Sequence, residues 1–243
     1  MFSFFKKIRE SSRPQCTALV AAAGSSSRMG GVNKLLELLD GVPVLARTLT
    51  ALQLARQVDE IVVACREEDL LPISDLCHTY GITKCSKVIR GGESRVHSVL
   101  LAALEASPES RLLAVQDGAR PLVTPELIDQ VISAAARCGA AAPAVPLKDT
   151  VKEVRDGGAV ERTLDRSSLR AVQTPQVFDA QLLKAALQDA LEQGAAVTDD
   201  CAAVERLGKV VFLVEGDEEN LKITTPTDLV LAEAILRARE EGR

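Results

Sequence analysis

Arg28 and Lys34 stand six positions apart in "AAAGSSSRMGGVNK", at the end of an apolar segment that begins at Cys16. A run with so few bulky side chains lets main-chain amides come close to a base or to phosphates, and the two cations can neutralise anionic charge there. The loop carries neither the G-x-x-x-x-G-K-[ST] phosphate cradle nor the G-x-G-x-x-G dinucleotide fingerprint. Taken alone, it could equally be a glycine turn with surface cations.

Three further loops carry similar ingredients. "QDGARP" places Asp117 three residues before Arg120. That carboxylate could meet a ribose hydroxyl or a divalent metal while the arginine grips phosphate, or the two could form a local turn. "GGESRVHS" sets Gly92, Glu93 and Ser98 around Arg95 where a helix begins, with glycines that could admit a ring edge; Glu93 and Ser94 could also be simple helix-start residues. "NLKITTPTDL" puts Lys222 beside Thr224 ahead of a capped helix, and "AAVTDD" puts Thr198 before Asp199 and Asp200, which by itself says only N-cap.

Cationic loops without a nucleophile motif, a histidine pair or a metal cluster suggest transfer of an already activated phosphoryl group. A phosphate monoester needs no strong base, because its second pKa near 6 leaves it largely dianionic at neutral pH. The protein must instead align two anions that repel each other, through positioning and preorganised positive charge.

The totals narrow the setting. With 243 residues and 47% apolar content the chain suits one large α/β domain, residues 15–240, after an extension at residues 1–14. A net charge of −5 argues against nucleic-acid binding. Six scattered cysteines without C-x-x-C spacing read as reduced core residues of a cytoplasmic protein. No apolar run reaches the roughly 18 residues of a membrane span. "MFSFFKKIRESSRP" reads as a frayed or packed arm; a membrane-surface or partner-binding helix using Phe2, Phe5 and Ile8 is the alternative.

The elements that must position these loops alternate. Strand-length runs at "CTALVAAAG", "EIVVACR", "KVIRG", "RLLAVQDGA", "AAAPAVPL" and "VVFLVEG" are separated by helical periodicity, which predicts a mainly parallel sheet covered on both faces. Thr124-Pro125 and Thr225-Pro226 mark helix starts, and Gly81, Gly139, Gly194 and Gly208 mark stops. Residues 149–168 alternate charged and apolar positions around "RDGG" and predict a projecting β-hairpin within an arm at about 148–168; such an arm needs something to lie against, most simply a second subunit. Ligands of an open parallel sheet gather beyond the carboxyl ends of its strands, where the cationic loops fall.

"AAAGSSSRMGGVNK", "GGESRVHSV", "DGARP", "LKDT", "LDRS", "QTPQVF", "TDD" and "VEGDEENLKIT" occur in the order seen in the 2-C-methyl-D-erythritol 4-phosphate cytidylyltransferase family, and the chain resembles it from about Cys16 to Arg237. The resemblance implies a Rossmann-like three-layer α/β/α nucleotidyltransferase fold, and reaction of CTP with the polyol phosphate in isoprenoid precursor biosynthesis with Mg²⁺. It implies that Arg28, Lys34 and Lys222 are catalytic and that Ala22, Ala23, Gly24, Gly92, Glu93, Ser98 and Asp117 bind the nucleotide, with Asp117 also a possible metal ligand. It implies a homodimer built by the arm, with Arg120, Asp149, Thr150, Arg166, Thr174 and Thr198 binding the substrate. Four positions depart from the commoner pattern: Asn33 stands where many relatives carry proline, Leu35 replaces a frequent polar residue, and Asp200-Cys201 replaces Glu-Ala, which shifts weight from Asp200 to Thr198. A cytidylyltransferase for another polyol phosphate, such as ribitol 5-phosphate, and a non-catalytic nucleotide-binding module are the competing readings. A Rossmann oxidoreductase lacks its glycine fingerprint.

Overall fold

The computed structural model describes residues 13–24 and 33–242. The N-terminal segment 1–12, with Phe2, Phe5 and Ile8, and the loop segment 25–32, with Arg28, lie outside the described residues. The extension ends at a docked residue: Arg13 makes a two-pronged ion pair with Asp59, at 2.6 and 2.8 Å.

Among the described residues, twelve strands and seven α-helices follow one another. The strands are β1 (Cys16–Ala22), β2 (Leu38–Leu39), β3 (Val42–Pro43), β4 (Glu60–Cys65), β5 (Cys85–Arg90), β6 (Leu112–Asp117), β7 (Ala140–Pro146), β8 (Lys152–Val154), β9 (Val160–Thr163), β10 (Arg170–Val172), β11 (Gln176–Asp179) and β12 (Phe212–Glu215). The helices are α1 (Val44–Leu54), α2 (Leu70–Thr79), α3 (Arg95–Glu105), α4 (Pro125–Cys138), α5 (Ala180–Glu192), α6 (Asp200–Arg206) and α7 (Pro226–Glu240).

Eight strands form one sheet in the order β10-β7-β11-β6-β1-β4-β5, with β12 on the other edge of β7. β6, β1, β4 and β5 run parallel, as does β12 to β7. β10 and β11 are antiparallel to β7 and succeed one another along the same edge of it. These two short strands were not anticipated. Val177 and Phe178 of β11 enter opposite cores and both are fully buried, so the segment has no polar face to advertise a strand.

The period of two along each central strand builds two cores. Ala18, Val20 and Ala22 of β1 and Ile61, Val63 and Cys65 of β4 face the side covered by α1, α2, α4 and α7. Leu19, Val62 and Ala64 face α3, α5 and α6, which completes the expected three layers. The helix ends obey the sequence signals: Thr124 caps α4 by accepting from Leu127 N at 3.2 Å, and Gly139 closes it at φ +84°. All six cysteines are free thiols, four of them buried. The predicted hairpin is present: β8 pairs antiparallel with β9, and both strands are exposed.

Candidate active site

The loops after β1, β5, β6 and β12 meet at one edge of the sheet around a cavity of about 420 Å³. Main-chain hydrogen bonds tie three of them together. Gly118 N donates to Ala21 O at 3.1 Å, and Ile223 N donates to Ala119 O at 2.8 Å. Beyond the described part of the first loop, Asn33 stands in for the commoner proline by bonding: its side chain accepts from Leu35 N at 3.2 Å and donates to Asp69 at 2.9 Å. Leu35 buries beneath it and Lys34 lines the cavity.

Ala23, Gly24, Gly92, Glu93, Ser98, Asp117, Lys34 and Lys222 are brought together on the cavity wall. The side chain of Ala22 does not; strand alternation turns it into the core, and Ala21 lines the cavity instead. The Gly91-Gly92 turn is shaped by contact with α3. Gly92 N donates to the Ser98 hydroxyl at 3.0 Å, which donates in turn to Ser94 O at 2.8 Å. A Cβ at Gly92 would fall 2.2 Å from His97 Cγ, so only glycine fits.

Asp117 is the electrostatic centre. Lys222 Nζ lies 2.8 Å from its Oδ2, Arg120 Nε 3.6 Å from Oδ2, and Arg95 3.7 Å from Oδ1. Burial pushes its pKa up, but the charges of Lys222 and Arg95 prevail and hold it below the usual carboxylate value. Its backbone N–H donates to the Thr174 hydroxyl at 3.1 Å, while Arg120 donates to Asn220 O at 2.5 Å. Arg120 and Thr174 are both buried under the floor of the cavity, so within one chain their side chains organise Asp117.

Two polar residues named in the sequence without a site role, Arg95 and Asp200, meet at the cavity. Arg95, at the first position of α3, lines the cavity and pairs at 2.7 Å with Asp200, which is fully buried. The departure at Asp200 therefore leaves a working carboxylate in place. Burial raises the Asp200 pKa, only partly countered by Arg95. Burial likewise opposes charge on Arg95, yet Asp200 more than offsets it and holds its pKa above the ordinary arginine value. Asp199, not Thr198, caps α6, accepting from Ala202 N at 2.9 Å.

Asp149, Thr150, Arg166 and Thr198 are exposed and none lines the cavity of its own chain. Arg166 donates to Lys148 O at the foot of the arm. Among the described residues no group of three or more His, Cys, Asp or Glu side chains could cage a metal. One hard carboxylate, Asp117, on a cavity also lined by Lys34 and Lys222 nevertheless suits Mg²⁺, which usually binds through one or two carboxylates and ligand oxygens.

The sequence profile of the family described as 2-C-methyl-D-erythritol 4-phosphate cytidylyltransferase matches residues 16–238. The chain belongs to this family. The cytidylyltransferase of Bacillus cereus is 44% identical over 226 residues, covering 93% of this chain and 99% of that one. The 4-diphosphocytidyl-2C-methyl-D-erythritol synthase of Anaerococcus prevotii has a crystal structure that matches with a TM-score of 0.83 at 31% identity, over 92% of this chain and 96% of that one. That of the Thermus thermophilus cytidylyltransferase matches with a TM-score of 0.74 at 35% identity, over 92% and 99%. The fold is thus the Rossmann-like nucleotidyltransferase fold of these cytidylyltransferases.

Proposed function

We propose that this chain transfers the cytidylyl group of CTP to 2-C-methyl-D-erythritol 4-phosphate, releasing pyrophosphate and forming the diphosphocytidyl alcohol of isoprenoid precursor biosynthesis. The observation that carries the reading, beside family membership, is the convergence of Lys34, Lys222 and Asp117 on one cavity fringed by glycine main chain. The phosphate of the polyol is the nucleophile; its attack on the α-phosphorus forms one P–O bond as the bond to the pyrophosphate leaving group breaks. No general base is required, so the catalytic work is alignment and charge neutralisation.

In this reading the base lies against Ala23, Gly92 and Ser98, with Glu93 at its edge. Lys34 and Arg28 neutralise the triphosphate and the charge that develops at the α-phosphorus. Lys222 leaves Asp117 for phosphate oxygens or bridges the two. Bound Mg²⁺ would supply charge neutralisation at the phosphates, held on the protein side by Asp117.

The second half of the site comes from a homodimer. Arg166, Asp149, Thr150 and Thr198 are exposed and outside the cavity, so a neighbouring arm laid across the sheet edge would bring polyol-phosphate contacts to it. Among the described residues no helix is long and apolar enough to cross a membrane, and we read the enzyme as cytoplasmic.

Pyrophosphate release measured with CTP and each polyol phosphate tests the assignment. Turnover with 2-C-methyl-D-erythritol 4-phosphate is expected; turnover with ribitol 5-phosphate alone would overturn it.

A further inference from the structure

A fully buried carboxylate with an unsatisfied oxygen needs a reason to be there. Asp200 contributes Oδ2 to Arg95 at 2.7 Å, while its Oδ1 is buried without a hydrogen-bond partner. Replacing such an ion pair with apolar side chains commonly costs a fold nothing, so packing alone does not account for it. The surroundings are built to aim this carboxylate. The Gln176 side-chain oxygen accepts from Asp200 N at 3.0 Å and from Cys201 N at 3.1 Å, and its amide donates to Asp199 Oδ2 at 2.8 Å. β11 thus fixes the first turn of α6, and α6 points Asp200 at Arg95.

Arg95 stands between two carboxylates, 2.7 Å from Asp200 and 3.7 Å from Asp117, with its side chain 30% exposed on the cavity wall. Asp117 already holds Lys222 at 2.8 Å. An unrestrained guanidinium would close on Asp117, because a flexible arginine beside a carboxylate takes the shorter, two-pronged geometry. Asp200 holds it back.

We propose that Asp200 is a positioning residue for nucleotide binding: it holds the Arg95 guanidinium on the cavity wall, short of Asp117, so that Arg95 remains available to the anionic nucleotide. This rests on the reading of the cavity as the CTP site. Asp200 touches neither nucleotide nor reacting atoms; Arg95 is the group that meets the ligand.

The test is a double-mutant cycle on CTP binding, measured by titration calorimetry on the full chain, beginning with wild type. CTP binding by wild type establishes the underlying reading independently; its absence would remove that reading and this inference together. Asp200→Asn is expected to weaken CTP binding by about tenfold to hundredfold, the scale of losing a group that orients a ligand contact. Its KM for CTP should rise in step, with kcat at saturating CTP held within about threefold, since the reacting phosphates keep their lysines. Asp200→Glu, which keeps the carboxylate, should recover affinity. In an Arg95→Gln background, Asp200→Asn should add no further loss. Equal penalties in both backgrounds, or none in either, would overturn the proposal. Should Arg95→Gln fail to fold with a buried carboxylate left unpaired, the comparison of Asp200→Asn with Asp200→Glu in the wild-type background decides: equal CTP affinities in the two, or wild-type affinity in Asp200→Asn, would overturn the proposal.

Discussion

Lys222 Nζ lies 2.8 Å from Oδ2 of Asp117, joining the loop after β12 to the end of β6 by an ion pair at the floor of the cavity. The two partners differ in burial: the lysine side chain is 40% exposed and the aspartate side chain 10%. Their removal should therefore have different consequences. Lys222→Ala takes away an accessible cation and is expected to lower kcat by about 10²- to 10³-fold, the range of a lost transition-state contact, with a smaller Tm loss than Asp117→Asn because Arg95 and Arg120 still face the carboxylate. Asp117→Asn strands the buried Arg120 and should cost about 3 kcal/mol of stability as well as activity. Steady-state kinetics beside thermal denaturation separates the two; a large Tm loss in Lys222→Ala would contradict this division. Lys34→Ala should resemble Lys222→Ala.

The depressed pKa of Asp117 sets a sign for acid stability. A carboxylate whose folded pKa lies below its unfolded value stabilises the fold fully above the unfolded value, near 3.9, and that contribution is lost as pH falls through the folded value. Wild type should therefore lose Tm steeply below about pH 4. Asp117→Asn should show a shallower decline over that window, and parallel curves would count against this assignment.

Asp228 accepts from Thr224 N at 2.7 Å, the Thr224 hydroxyl at 2.8 Å and Thr225 N at 2.7 Å, capping α7 just after the loop that carries Lys222. Thr224 lines the cavity. Asp228→Ala should cost about 1–2 kcal/mol, the value of a lost cap, and raise the KM for CTP a few-fold because Thr224 is no longer held. Denaturant titration and a CTP saturation curve check the two halves.

Val154 and Val160 oppose one another across the hairpin and are each 58% exposed. Asp at both positions should shift the protein from dimer to monomer in sedimentation experiments, and the KM for the polyol phosphate should rise more than that for CTP. Arg166→Ala should raise the polyol-phosphate KM without dissociating the dimer. A monomeric wild type with full activity would refute the arm's role.

What the sequence discloses and what it hides divide along the range of the interactions. The loops that line the cavity are legible in the sequence because small residues and cations cluster locally within them, and cap and stop residues bound the neighbouring helices. Arg95 and Asp200 are 105 positions apart, and no local pattern marks a pair joined only by the folding of β11 against β6. Arg120 and Thr174 are expected from the resemblance to bind substrate, yet they are buried beside Asp117 in an arrangement that depends on the loop around Asn220, which donates to Thr174 O at 3.0 Å. Ala22 and its neighbours were assigned as one stretch, whereas the strand pleat sends alternate side chains in opposite directions.

The hydrogen bonds from Gly118 to Ala21 and from Ile223 to Ala119 join the cavity's loops through main-chain atoms alone. Side chains at the rim can consequently be exchanged without loosening the frame that carries them. For an engineer this makes that side of the cleft a socket: new specificities can be sought at rim side chains of the loops after β1, β6 and β12 while those two bonds hold the main chain.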